Sequence, residues 1–233
     1  MKIFKNKEFY DFLICFLYFV SFLVLSLTGN YRIFVKKFYF PYILTGIVIL
    51  SCLCFVTSKR IKIFKETDVY EIFSFVIFLF PLILVCLTRP SNLPTYAALK
   101  RGIQTELSIS ESILRSLQEK IETEGKYKKL TIKQILTFAK SKPEEINEKD
   151  IVVEGIVFKG EEKDKFTLIR FLVICCAADA TPLGIEVKYE KKEELRNEEW
   201  VKVKGKVKIE QGKVLIYADE IEKISSPSDP YLY

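Results

Sequence analysis

The chain has 233 residues, of which 49% are hydrophobic, 28% are charged and none is histidine. Without histidine, the chain cannot build a serine–histidine or cysteine–histidine catalytic pair, or a histidine-ligated metal site. Residues 1–99 carry 11 basic and 5 acidic side chains, whereas residues 100–233 carry 25 of each, so the formal charge of +6 lies entirely in the first part. Because the second part is neutral, the basic balance does not indicate a nucleic-acid surface.

Three long uncharged stretches lie in the first part, at residues 12–31, 38–58 and 72–88. At about 1.5 Å per residue, such helices reach roughly 26 to 32 Å, which matches a hydrocarbon core of about 30 Å. We therefore predict three transmembrane helices within residues 1–90, and hence a multi-pass protein of the cell membrane. The alternatives are a buried hairpin of a soluble protein and, for the first run, a cleaved signal peptide, although no small-residue cleavage site follows it.

The short loops around these runs hold nearly equal numbers of basic residues, seven on the N-terminal side and six on the opposite side. This small excess favours a cytoplasmic N-terminus and a C-terminal part outside the cell.

The runs contain no charged residue, so the usual intramembrane marker of an ion pathway is missing from them. Pro81 lies in the middle of the third run, where it indicates either a packed kink or a hinge that contacts another membrane protein.

Residues 91–130 are predicted to form a helical linker. Turn residues open it at Pro90 and Pro94, and Ser108 with Glu111 has capping-box spacing for a helix that continues to about residue 122. A second capping box, Thr131 with Gln134, predicts a shorter helix that ends before residue 143.

From residue 150 onward the hydrophobic pattern alternates with a period of two, which predicts strands. The predicted strands are 151–158, 166–175, 183–189, 200–209 and 214–221, with a polar insert at 191–196 after the third. That order is typical of an OB-fold barrel, and central glycines at Gly155 and Gly205 would allow the bends that close it. We therefore predict an OB-like antiparallel β-barrel domain at residues 131–233 and an α+β membrane protein overall. The alternative is an open antiparallel sheet with a helix on one face.

The most unusual segment pairs Cys175 with Cys176 at the end of an apolar strand and follows them with Asp179. Two thiolates and a carboxylate suit a soft or borderline divalent metal. Neighbouring strand residues point to opposite faces, so both sulfurs can meet one ion only if the strand ends there. The alternatives are that Cys175 packs in the barrel while Cys176 lines the loop, or that the cysteines are redox active. We see no set of nucleophile, base and orienting group, and therefore predict no enzyme.

The same segment carries a family resemblance, together with its neighbours and the C-terminal tail. The matching residues in the second part are 155–157, 170–180, 182–184, 200–205 and the ending 227–233. In the first part they are residues 31–41 with Pro81 and Pro90. On these residues the chain resembles the YcgQ-like family of two-component membrane permease subunits. The resemblance implies a multi-pass protein that works beside a larger integral-membrane permease, with Pro81, Pro230 and Tyr231 as candidate hinge or partner contacts.

Relatives in that family look histidine-rich after the second span, whereas residues 59–66 of this chain contain no histidine. A metal role is therefore not carried over from those relatives. The sequence supports two hypotheses. The chain is an accessory permease subunit whose soluble domain senses, gates or caps at the membrane surface, or it is a membrane-tethered module that binds a divalent metal or small ligand at Cys175, Cys176 and Asp179 without transport. Neither hypothesis includes a nucleic-acid partner.

Overall fold

The computed structural model describes residues 7–60, 69–88, 95–105, 122–160, 162, 164–190 and 194–233. The chain divides into two compact units, Met1–Ser91 and Asn92–Tyr233. The first unit is helical. The second is a mixed β-sheet with helices packed against it, so the α+β class is confirmed.

The first unit consists of three apolar helices, α1 (Lys7–Thr28), α2 (Phe40–Arg60) and α3 (Val69–Thr88). Gly29 follows α1 with φ of 73°, a left-handed conformation that glycine adopts without steric cost. Two 3-10 turns, Asn30–Ile33 and Lys37–Tyr39, then lead into α2. The Tyr18 hydroxyl on α1 donates to the Phe78 carbonyl on α3 at 2.8 Å.

Two helical stretches in the described part of the chain, Glu8–Thr28 and Lys37–Lys59, are long and apolar enough to cross a membrane. In the third helix, the corresponding apolar stretch is the shorter Phe73–Leu84. The helices lie where the sequence predicts them. By length and composition, however, two described stretches qualify as spans rather than three.

The second unit opens with α4 (Thr95–Arg101), which packs against the domain rather than standing apart from it. Ala98 is fully buried and belongs to the same hydrophobic cluster as Phe171 and Tyr231. Beyond the helix, Gln104 forms an isolated parallel bridge with Leu183. The helix predicted from Ser108 falls mostly on residues 106–121, which are outside the described part.

The described residues form seven strands of one sheet: β1 (Glu122–Glu124), β2 (Tyr127–Lys129), β3 (Asp150–Phe158), β4 (Lys165–Leu172), β5 (Thr181–Lys188), β6 (Trp200–Glu210) and β7 (Lys213–Lys223). The five long strands agree with the predicted ones to within a few residues. The hairpin of β1 and β2 was not predicted, and Glu122 lies in a strand rather than in a helix. The second predicted strand is also shorter than expected, because β4 ends at Leu172 and not at Cys175.

The pairings of the five long strands run in a ring. β3 pairs with β4, β4 with β5, β5 with β7, β7 with β6, and β6 with β3. All of these pairs are antiparallel except β5 and β7, which are parallel, so the sheet is mixed rather than purely antiparallel. Two junctions of the ring, β3–β4 and β5–β7, are only three residue pairs long.

Helix α5 (Ile132–Ser141) packs against this sheet. The predicted capping box is confirmed, because the Gln134 amide donates to the Thr131 hydroxyl and the Thr131 amide donates to the Gln134 side chain. A short helix, α6 (Pro143–Ile146), follows it. The apolar face of α5 and the inward residues of the strands form the main hydrophobic core, in which Ile135, Leu168 and Val203 are fully buried.

The two central strand glycines permit close packing of the backbone. A Cβ atom on Gly155 would lie 2.8 Å from Leu168 Cγ. At Gly205, where β6 and β7 slip in register, a Cβ atom would collide with the Tyr217 carbonyl oxygen and lie 2.9 Å from Ala218 Cα. Any larger residue at position 205 would therefore force apart two paired strands.

Candidate metal centre

The cysteine segment is a surface loop between two paired strands. β4 and β5 pair over eight residues, from Lys165 opposite Lys188 to Leu172 opposite Thr181, which fixes both ends of the loop. Val173 is still buried, whereas Ile174 is 71% exposed. The chain therefore leaves the core just before the first cysteine.

Asp179 organises the loop by accepting hydrogen bonds from three consecutive backbone amides. Its Oδ1 accepts from the Ile174 amide at 2.9 Å. Its Oδ2 accepts from the amides of Cys175 at 2.7 Å and Cys176 at 3.2 Å. Residues Ala177–Asp179 form a 3-10 turn that brings the carboxylate back to these amides. Asp179 is thus a structural centre of the loop as well as a possible ligand.

This turn brings the two sulfurs and the carboxylate together. The Sγ atoms of Cys175 and Cys176 lie 3.7 Å apart, and one donor atom from each of Cys175, Cys176 and Asp179 lies within 4.8 Å of the others. Because the strand ends at Leu172, the alternation that would separate adjacent side chains no longer applies here. The strand thus ends before Cys175 and Cys176, as it must if both sulfurs are to bind one ion.

The electrostatics of the loop favour the protonated thiol of Cys175 over its reactive thiolate. A hydrogen bond to Asp179, supplemented by one to Cys176, raises the pKa of Cys175 to about 11. Burial alone would raise the pKa of Asp179, but the hydrogen bonds from the Cys175 thiol and the three amides outweigh it and lower that pKa to about 2. A free Cys175 at neutral pH is therefore a poor nucleophile, whereas a metal ion would displace its proton.

Two arginines hold the backbone around the loop. Arg101, at the end of α4, donates from Nη1 to the carbonyl of Ala180 and, at 3.4 Å, to that of Ala177. Arg170, on β4, donates from Nη2 to the Asp229 carbonyl at 2.6 Å and from Nε to the Pro230 carbonyl at 3.3 Å. Sequence reasoning missed both arginines, because each bonds a carbonyl that is about 60 or more residues away in the chain.

The C-terminal tail is docked beside the loop. The Leu232 amide donates to the Phe171 carbonyl and the Val173 amide donates to the Leu232 carbonyl, each at 2.8 Å. Tyr231 is 4% exposed, within the domain's second hydrophobic cluster. Pro230 and Tyr231 therefore lie against their own domain, and their role in partner contact stays a prediction.

Pro81 lies inside α3, which continues through it from Val69 to Thr88, and its side chain is exposed in the isolated chain. Its predicted role as a hinge or partner contact also stays a prediction.

Comparison with known proteins supports a family assignment for the domain that carries the loop. UPF0703 protein YcgQ from Bacillus subtilis (strain 168) is 27% identical over 99 residues, which is 39% of this chain and 35% of that protein. The match thus spans about a third of the relative's length.

Solved structures resemble the chain only at low similarity. The hypothetical protein ygiW from E. coli gives a TM-score of 0.28 at 17% identity, covering 41% of this chain and 88% of that one. The OBody AM1L10 bound to hen egg-white lysozyme gives 0.26 at 18% identity, covering 36% and 85%. The S. pombe Stn1-ten1 complex gives 0.25 at 16% identity, covering 35% and 62%.

The DUF1980 C-terminal domain matches residues 115–233, which is more than half of the chain and includes the whole cysteine loop. Together with the similarity to YcgQ, this match confirms the YcgQ-like resemblance seen in the sequence, while the permease-subunit role stays a prediction. The chain belongs to the family of the DUF1980 C-terminal domain.

Proposed function

We propose that this chain is a membrane-anchored accessory subunit of a two-component permease, and that its C-terminal domain binds a divalent metal ion at the loop of Cys175, Cys176 and Asp179. The observation that carries the proposal is the convergence of three donor atoms within 4.8 Å on this loop. Two sulfurs and a carboxylate are ligands of soft or borderline divalent ions.

The membrane anchor is supported by the surface of the three helices. Large apolar side chains are exposed on them, among them Leu27 at 79%, Phe55 at 61% and Phe78 at 56%. In water each such side chain would cost about 1.5 to 3 kcal/mol relative to burial, whereas lipid removes that cost. We propose that all three helices cross the membrane, with α3 as the third span, and that the C-terminal domain lies outside the cell.

The partner and the barrel are further parts of the proposal. The three uncharged runs offer no charged group for an ion pathway, so we assign the translocation path to a larger permease subunit. The ring of strand pairings, with its parallel β5–β7 junction, supports an OB-like barrel that senses, gates or caps at the membrane surface.

Metal binding is tested by titration calorimetry, in which zinc is added to the full chain in detergent. We expect one zinc site that disappears in the double variant Cys175→Ser/Cys176→Ser. The matched control is Cys52→Ser/Cys54→Ser, which removes two cysteines from α2 and should leave the site intact. Equal zinc binding by both double variants would contradict the assigned site.

The accessory role is tested by co-purification of the tagged chain from native membranes that contain the permease. We expect a larger multi-span protein in fixed stoichiometry with the chain. If the chain purifies alone but still binds zinc, the accessory role is wrong and the alternative holds, namely a membrane-tethered metal-binding module without a transport role.

A further inference from the structure

The spacing of the two sulfurs is compatible with one particular coordination geometry. With metal–sulfur bonds of about 2.3 Å, a tetrahedral ion holds two sulfurs about 3.8 Å apart, a right-angled arrangement holds them about 3.3 Å apart, and a linear ion about 4.6 Å apart. The sulfurs of Cys175 and Cys176 are 3.7 Å apart before any metal binds. One tetrahedral ion could therefore bridge the pair with little movement of either side chain, whereas a linear ion needs the sulfurs farther apart.

The carboxylate contributes at most a weak third bond. Asp179 already accepts three amide hydrogen bonds at 2.7 to 3.2 Å, which occupy most of the lone-pair positions of a carboxylate. A strong metal bond to either oxygen would compete with these hydrogen bonds. The two sulfurs are thus the main chelate, and Asp179 mainly shapes the loop that presents them.

The coordination shell that the described residues supply is incomplete. The cluster formed by the described residues supplies at most three ligands, whereas a tetrahedral ion takes four. Structural zinc sites are closed by four protein ligands, while sites that exchange a ligand keep a position open. Here Cys175 and Ile174 are exposed, so the open position can be reached from solvent.

We infer that this loop is a transfer site for a tetrahedral, thiophilic divalent cation of the zinc and cadmium class. It takes up the ion with two thiolates and passes it on when a thiolate or imidazole of another protein enters the open position. This inference rests on the proposed metal-binding function. Uptake releases two thiol protons to solvent, transfer returns two protons to the sulfurs, and the ion stays divalent throughout.

The coordination geometry is tested with cobalt(II) as a spectroscopic probe. The sample is the full chain in detergent with Cys15, Cys52, Cys54 and Cys86 replaced by serine, so that Cys175 and Cys176 are the remaining cysteines. We expect the intense visible absorption of tetrahedral cobalt with thiolate-to-metal bands, and a shift of these bands when an external thiol is added. Weak octahedral bands, or bands that do not respond to the thiol, would overturn the inference.

Transfer itself is tested by kinetics. The same protein is loaded with one zinc ion and mixed with increasing concentrations of a chromogenic chelator as acceptor. Entry of the acceptor into an open position predicts a transfer rate that rises about tenfold for a tenfold increase in acceptor. A rate that is independent of acceptor indicates a closed site and overturns the inference, while zinc binding, and with it the proposed function, would still stand.

Cys176→Ser provides a second measurement on the same protein. With one sulfur left, we expect zinc affinity to fall at least tenfold while the circular dichroism spectrum stays unchanged. Unchanged affinity would mean that the sulfur pair is not the chelate.

Discussion

At the scale of single residues, Asp179 determines the chemistry of the loop. It binds the three amides that shape the turn, and its hydrogen bond makes the Cys175 thiol harder to ionise. Because folding lowers the pKa of Asp179 from 3.8 to about 2, its stabilising hydrogen bonds are fully present above about pH 4 and are lost as the pH falls through 2.

The first prediction concerns the reactivity of Cys175. In a Cys176→Ala background, where the hydrogen bond to Asp179 remains, the alkylation rate with iodoacetamide should rise with pH to a midpoint above the ordinary thiol pKa of 9.0. Asp179→Asn removes the hydrogen-bonding carboxylate, so the midpoint of the rate profile should move down toward the ordinary value of 9.0. Asp164→Asn, at another exposed carboxylate of the domain, is the control and should leave the midpoint in place. Equal midpoints in both variants would refute the role given to Asp179.

The donor atoms could be predicted from the sequence, but their arrangement could not. Cys175, Cys176 and Asp179 stand within five residues, so residue type and spacing were enough to select them. The end of β4 was misplaced by three residues, because Val173, Ile174 and Cys175 are as apolar as a buried strand. What ends the strand is the set of bonds from three amides to Asp179, a side chain that follows them in sequence.

At the scale of elements, prediction succeeded where local interactions decide the structure. Helix α5 begins at Ile132 because its N-cap residue, Thr131, and Gln134 cap each other over three residues. The β1–β2 hairpin was missed because its strands are three residues long and polar, without a hydrophobic alternation. The docking of α4 was also missed, since it depends on contacts between Ala98 and residues that follow more than 70 positions later.

The second prediction concerns the β6–β7 pair at Gly205. Gly205→Ala should destabilise the domain by about 1 to 3 kcal/mol, because the added Cβ meets the Tyr217 backbone, which cannot move without separating the strands. Gly160→Ala is the matched control, as a Cβ there meets nothing within 4 Å, and should change stability by less than about 0.5 kcal/mol. Urea unfolding in detergent, followed by the fluorescence of Trp200, the single tryptophan, measures both. Similar effects of the two substitutions would argue against the packing described at Gly205.

The third prediction concerns the C-terminal tail. Arg170→Met removes the two hydrogen bonds to the carbonyls of Asp229 and Pro230, and should lower the free energy of unfolding by about 1.5 to 3 kcal/mol. Urea unfolding is followed here by circular dichroism, because Arg170 also lies over the Trp200 ring, 5.7 Å from its centroid. Lys142→Met, which breaks an exposed ion pair with Glu145, should cost less than about 1 kcal/mol. If Arg170→Met is as mild as Lys142→Met, the tail is not held by this arginine.

At the scale of the whole molecule, the sequence separated an apolar helical part from a charged β part, and the structure divides into the units Met1–Ser91 and Asn92–Tyr233. Helix positions in the first unit followed directly from uncharged runs, because hydrophobicity alone sets them. The side of the membrane was not decided by the sequence, since the basic residues of the loops are almost equally divided.

The fourth prediction concerns membrane insertion and sidedness. If the three apolar helices cross the membrane as proposed, the chain should stay in the membrane pellet during alkaline carbonate extraction, because leaving lipid would expose their side chains to water. Sidedness is measured in a separate experiment on intact cells. The variant Gly160→Cys places a thiol on an exposed loop of the C-terminal domain. An impermeant maleimide should label it in intact cells if the domain lies outside. Labelling only after lysis would put the domain inside, and release by carbonate would contradict the membrane anchor.

The binding of a divalent ion by the cysteine pair is tested most directly by zinc X-ray absorption spectroscopy on the loaded full chain. We predict two sulfur neighbours at about 2.3 Å, with the remaining positions filled by lighter atoms. A shell of oxygen and nitrogen neighbours without sulfur would show that zinc does not bind at Cys175 and Cys176, and would contradict the proposed metal site.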